Sequence, residues 1–171
     1  MKLKNSFLIT ICCVFVFHHT INAQSKYYPG YVIMMAGDTL KGVIKMNPKK
    51  VYENFSKISY CKKEGSDVKV FKPQKVSGYM VDSIKFDVKK IDDDLMFARR
   101  LSADTASQMV YEVQTQYESM NEIRYSSEYY FEKKNKELEA VKSKKAIKII
   151  EEAKEKNKKI NVSDLELKKE K

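Results

Sequence analysis

Tryptophan is absent from the 171-residue chain, histidine occurs only at His18 and His19, and cysteine only at Cys12, Cys13 and Cys61; there are three prolines and five glycines. Both histidines and two of the cysteines fall within residues 1–23, which read as a secretory signal. Lys2 and Lys4 supply its positive start, Phe7–Phe17 is a run whose only polar member is Thr10, and Ile21-Asn22-Ala23 ends it on a small residue. Cleavage is expected between Ala23 and Gln24. The apolar run stops well short of the ~20 residues that a spanning helix needs, so no transmembrane span is expected after processing.

The chain that remains has no His, no Trp and a single Cys. It cannot build a Ser-His-Asp or Cys-His site, a His-ligated zinc site or a His proton shuttle. Cys61 has no intramolecular partner, so there is no disulfide framework; at the end of the strand-like stretch Phe55–Tyr60 it reads as a small buried apolar residue. The few glycines form no phosphate-cradling loop, and no Gly-x-Ser-x-Gly element occurs. No enzyme, cofactor or catalytic residue is therefore expected.

What is present is β-forming residues between regular turns. From Tyr27 to Phe131, runs rich in Val, Ile, Tyr and Phe are broken every eight to twelve residues by turn formers, the pattern of a β-dominated domain. Tyr31–Met35 and Thr39–Ile44 flank Ala36-Gly37-Asp38, a hairpin in which Gly37 can take a positive φ; Gly42 interrupts the second alternation as a bulge would. Further strands are expected over Phe55–Cys61, Val68–Phe71, Val76–Val81, Ile84–Ile91, Leu95–Leu101, Met109–Tyr117 and Ile123–Phe131.

After Phe131 the composition changes. Residues Glu132–Lys171 contain 14 Lys and 9 acids with no Gly, Pro, Phe or Tyr, which predicts a long charged helix over Lys136–Lys158 with Leu138, Val141, Ile149 and Ala153 near one face. Glu152 with Lys156 and Glu155 with Lys159 would be i, i+4 pairs, and Ser163 ahead of Glu166 is a capping-box pattern for a short final turn. The expected architecture is thus mainly β (β+α): a signal over 1–23, a curled antiparallel sheet or partial β-barrel of seven to nine strands over 24–131, and a charged helical tail over 132–171.

Three features invite a function, and each has a plain structural explanation. Asp92-Asp93-Asp94 is the densest acidic cluster, but three consecutive carboxylates lack the spacing of a calcium loop and read as a solvated turn, so no metal is expected. Eleven tyrosines survive signal removal, concentrated at Tyr27-Tyr28 with Tyr31 and at Tyr125 with Tyr129-Tyr130. Tyrosine suits binding faces and strands equally; the N-terminal group, ahead of the first expected strand, is the better surface candidate. Residues 24–171 carry 31 Lys and Arg against 23 acids, with the two signs mixed throughout, so nucleic acid is not expected as a partner.

The stretch Tyr28–Ile33 followed by Gly37-Asp38-Thr39-Leu40-Lys41-Gly42-Val43-Ile44 resembles the opening of small uncharacterised exported proteins of Bacteroidetes-type bacteria. The similarity continues through Phe71-Lys72-Pro73, Val76–Tyr79, the Phe86 region and Tyr129-Tyr130-Phe131, about two thirds of the chain. It implies a periplasmic, cell-surface or secreted location and a β-rich fold, with no activity or site residue to carry over. The reading that follows is an exported, non-catalytic binding or interaction module of the cell envelope, its partner an envelope protein or surface component. The alternative is a small-ligand or lipid carrier using a barrel interior.

Overall fold

In the computed structural model, described over residues 26–46, 50–102, 109–119 and 122–156, the chain is mainly β. Ten strands form one antiparallel sheet: β1 Lys26–Met34, β2 Thr39–Met46, β3 Ile58–Cys61, β4 Lys69–Phe71, β5 Val76–Val81, β6 Ile84–Ile91, β7 Asp94–Arg100, β8 Val110–Ser119, β9 Glu122–Glu132 and β10 Leu138–Ala140. Their spatial order is β10-β9-β8-β7-β6-β5-β1-β2-β3-β4. The first four strands meander to one side of β1; the chain then returns to place β5 on the other side and meanders onward.

Turn chemistry sets these pairings. Gly37 takes φ +94° while the Met34 amide donates to the Asp38 carbonyl at 2.8 Å, closing the first hairpin. Asp82 and Asp92, each at φ +53°, turn the β5–β6 and β6–β7 hairpins, a conformation that Asp tolerates better than most residues. Gly42 is not at a bulge, contrary to expectation: it pairs in regular register with Gly30, and the irregularity lies between Ile33 and Met34 against β5. Glycine is needed at 42 for close approach, since a Cβ there would stand 2.3 Å from the Cys61 carbonyl oxygen and 2.7 Å from the Tyr60 ring.

Two expectations are corrected. The sheet is open, with β4 and β10 as its edges, so it is not a barrel. Nor does residue 132 onward form one long charged helix. Lys136 at φ +66° turns the chain, Leu138–Ala140 pair with Tyr130–Glu132 as β10, and the helix α1 spans only Lys144–Glu155. Pairing with β9 outweighs the helix propensity of Leu138-Glu139-Ala140, and helix begins where the Ser143 hydroxyl accepts a hydrogen bond from the Ala146 amide at 3.4 Å. On α1, Glu152 pairs with Lys148 at 3.9 Å. The Ser163–Glu166 cap, Lys159 and the expected helix end at Lys158 lie outside the described residues.

Register explains the core. Leu40, Val32, Tyr79, Phe86, Arg99, Glu112 and Tyr129 are successive cross-strand partners, so they form one row on one face of β2, β1, β5, β6, β7, β8 and β9. Tyr79 stacks on Phe86 with centroids 4.5 Å apart and meets Phe97 edge-on at 5.0 Å. Between β2 and β3 a 3-10 turn, Val51–Phe55, drops onto this face. Phe55 meets the Phe86 ring at 5.6 Å, the Tyr79 hydroxyl donates to the Asn54 carbonyl at 2.9 Å, and Tyr52 stacks on Tyr125 of β9 at 4.5 Å. Seven strand spacings separate β3 from β9, ~34 Å on a flat sheet, whereas five 3-10 residues rise only ~10 Å. The turn touches β9 because the sheet curls around it.

Candidate binding face

The curl ends in a fork. β7 pairs with β8 only at Arg99–Glu112 and Arg100–Tyr111, while β8 and β9 stay paired from Val110–Phe131 out to Ser119–Glu122. Beyond Glu112 the β8–β9 hairpin therefore leaves β7 as a two-stranded arm, and the 3-10 turn packs against both β7 and β8 as a wedge in the opening. Asn54 and Phe55 are its buried side.

The outer side of this junction is apolar. Ile123 and Tyr125 share one face of β9 two residues apart, 57% and 48% exposed, and the Tyr52 ring stacked on Tyr125 continues the surface to the exposed Val51. Tyr117, also exposed, lies on the opposite face of the arm, cross-strand from Arg124. An aromatic and aliphatic patch carried on a paired hairpin is a contact surface whose backbone is already ordered, so little entropy remains to be lost on binding.

Below the arm the row turns ionic. Glu112 is fully buried; its Oε1 accepts from Ser127 Oγ at 3.0 Å, from Gln114 Nε2 at 3.3 Å and from Lys154 Nζ of α1, while Arg99 Nη1 lies 3.6 Å from Oε2. Burial by itself would lower the Lys154 pKa, but the hydrogen bond and charge of Glu112, followed by the Tyr129 hydroxyl, outweigh it and hold the ammonium above its ordinary 10.5. Lys154 also sits 5.2 Å from the centroid of the Tyr129 ring. With Ala146 and Ile150 packed against Val110, Tyr129 and Phe131, this ion pair seats α1 on β8 and β9.

The reverse face carries a second charged set. Arg100 Nε and Nη2 donate to Asp87 Oδ2 at 3.1 and 2.6 Å, the Tyr111 hydroxyl donates to the same oxygen at 3.0 Å, and Lys89 pairs with Glu132. Burial, then the Asp87 and Glu132 charges, push the Tyr111 hydroxyl far above its ordinary 10.0. Both sets tie strands together, although the buried Glu112 Oε2 accepts no hydrogen bond and has only the Arg99 charge beside it.

The residues singled out from sequence are dispersed. Ala23 and Gln24 lie outside the described residues. Tyr27, Tyr28 and Tyr31 belong to β1, between β2 and β5, and do not precede the first strand; Pro29 is tolerated there because the β5 ladder begins only at Gly30. Tyr129 is buried beneath α1, and Tyr130 donates to Glu128 at 2.6 Å, so Tyr125 alone of its group faces outward. Asp92 turns the β6–β7 hairpin, Asp93 lies 3.6 Å from Lys90, and Asp94 opens β7. Cys61 is buried and free. Sequence reasoning passed over the wedge and Glu112; the latter had a signal, a carboxylate inside the strand run Val110-Tyr111-Glu112-Val113.

No protein-family model, no curated protein and no solved structure matches the chain. Among the described residues, no helix is long and apolar enough to cross a membrane.

Proposed function

We propose that the protein is an exported, non-catalytic binding module of the cell envelope that engages an envelope protein or surface component through the arm. The observation that carries this is the exposed apolar patch in which the Tyr52 ring of the wedge, next to Val51, stacks on Tyr125 of the β8–β9 hairpin, beside Ile123 on the same strand face. The expected export signal over residues 1–23 and the lack of histidine after residue 23 support it. The carrier alternative is less well supported, because Phe55, Tyr79, Phe86 and Phe97 fill the concave side of the sheet where a carrier would hold its ligand.

The test is crosslinking of an affinity-tagged full-length copy in its own cells, followed by fractionation and mass spectrometry. Expected is an N-terminus at Gln24 and one envelope component recovered in stoichiometric amount, lost when Ile123→Ser and Tyr125→Ser are combined. A partner retained by that double variant, or a processed protein recovered alone, would overturn the reading.

A further inference from the structure

The arm has an unpaired edge. β10 occupies the outer side of β9 only from Tyr130 to Glu132, and the Val141 amide extends that contact by one bond, donating to the Tyr129 carbonyl at 2.8 Å before the chain turns into α1. On the inner side the Glu132 amide donates to the Met109 carbonyl at 2.9 Å, and β9 stays in unbroken register with β8 back to Glu122. Backbone groups alternate in direction along an antiparallel strand. The amides and carbonyls of Ile123, Tyr125 and Ser127 therefore point away from β8, where no strand among the described residues meets them. We infer that this edge is a docking site for the chain's own C-terminal segment, with residues 159–163 added beside β9 as a further strand and Ile160 and Val162 laid against Ile123 and Tyr125.

Three observations select that occupant. The first is position. Lys154, in the last turn of α1, meets Glu112 and the Tyr129 hydroxyl, and α1 stops at Glu155 with residues 157–171 still to follow. Tyr125 stands four residues, ~14 Å, further along β9 than Tyr129, and the six residues from Lys156 to Val162 span up to ~20 Å. The second is pattern. Lys159-Ile160-Asn161-Val162-Ser163 alternates polar and β-branched apolar residues with the period of a strand, and Ile123 and Tyr125 offer two exposed apolar side chains at the same spacing on one face. The third is charge. Glu122 and Glu128 outnumber Arg124 along the edge in an otherwise basic chain, and Lys158 and Lys159 lead the segment. Such exposed pairs orient the segment and add little affinity. Tethering supplies more, because a segment of the same chain reaches an effective concentration in the mM range. A third strand also supports the arm, since a two-stranded ribbon alone is marginal, and it covers an edge that would otherwise pair with other chains. The docked segment would lie between the patch and a partner; that consequence alone rests on the reading of the arm as the partner-binding face.

The experiment measures amide hydrogen exchange residue by residue, by NMR, on the full chain purified from its own cells and on the same chain carrying Ile160→Asp and Val162→Asp together. The Ile123, Tyr125 and Ser127 amides should exchange about tenfold or more slowly in the unaltered chain than in the double variant. The Arg124 and Ser126 amides, which point into the β8 ladder, should be equally protected in both, showing that the arm keeps its fold. Protection of the outward amides should be unchanged on about tenfold dilution, as a contact within one chain requires. Outward amides that exchange as fast as those of an open peptide, or protection that survives the double substitution, would overturn the inference. Protection that falls on dilution would assign the edge to a second copy and overturn it as well. No partner is present in this measurement, so its failure and a failure of the partner-binding reading, which the crosslinking experiment decides, are told apart.

Discussion

The two halves of the transverse row are held down by different physics. Across β1, β5 and β6 the row is Val32, Tyr79 and Phe86, sealed by Phe55 of the wedge; across β7, β8 and β9 it is Arg99, Glu112 and Tyr129, sealed by Lys154 and the apolar stripe of α1. The aromatic half gains its stability from area removed from water, which any well-shaped apolar side chain could supply. The ionic half gains little net free energy from its charges, because desolvating them offsets most of their attraction, but it demands that α1 sit with Lys154 over Glu112. One half gives strength and the other gives position.

The largest expected effect lies in the aromatic half. Phe55→Ala should cost about 4 kcal/mol in urea unfolding, since it removes a buried ring against which β5, β6 and β7 pack. A loss under about 1 kcal/mol would mean that the wedge merely rests on the sheet.

In the ionic half, Lys154→Met should cost about 2–3 kcal/mol, because the buried Glu112 carboxylate is left to Arg99 and neutral donors. Adding Glu112→Leu should restore most of that loss. A double variant as unstable as the single one would show that α1 is held by its apolar stripe alone, and the contrast between the halves would disappear.

Alkaline pH should weaken both halves. Burial raises the Tyr79 hydroxyl, and burial with the Asp87 and Glu132 charges raises Tyr111, each from 10.0; Lys154 is raised from 10.5. Each group holds its proton more tightly folded than unfolded. The stability it lends is therefore complete below its ordinary value and is lost as pH rises through and above it. Urea midpoints should be level up to about pH 9.5 and fall beyond about pH 10, and Tyr79→Phe should flatten the fall. A midpoint that stays level in that range would contradict the tight protonation of these groups.

The smallest effect on folding is expected at the arm, where Tyr125→Ser forfeits one stacked contact with Tyr52 and should cost no more than about 1 kcal/mol. Its consequence should appear in partner recovery, which separates a recognition surface from a structural one.

The strands were legible because each carries its own evidence: alternating Val, Ile and aromatic residues, with Gly37, Asp82 and Asp92 at the turns. The expected first strand began too late, at Tyr31; Pro29 and Gly30 are poor strand formers, and only the register with β2 and β5 shows both accommodated. Leu138-Glu139-Ala140 became a strand through an edge of β9 that local propensity cannot see. Within the candidate face, Tyr125 was visible as a tyrosine, but its ring partner Tyr52 is 73 residues away and no periodicity joins them. Val51–Phe55 has the composition of a strand and the length of a turn. Its role as a wedge follows only from curvature, which belongs to the whole sheet.

That distance along the chain has a consequence for how the protein is made. A ribosome releases the wedge well before β8 and β9 exist, and at ~5–20 residues per second the interval is several seconds to about fifteen. Throughout it, β1–β4 can pair while Phe55 has no complete seat, so the nascent chain presents an unsatisfied aromatic surface until its last third emerges. Closing the fork is a late event by construction, and any factor that guards the unfinished chain has that interval in which to act.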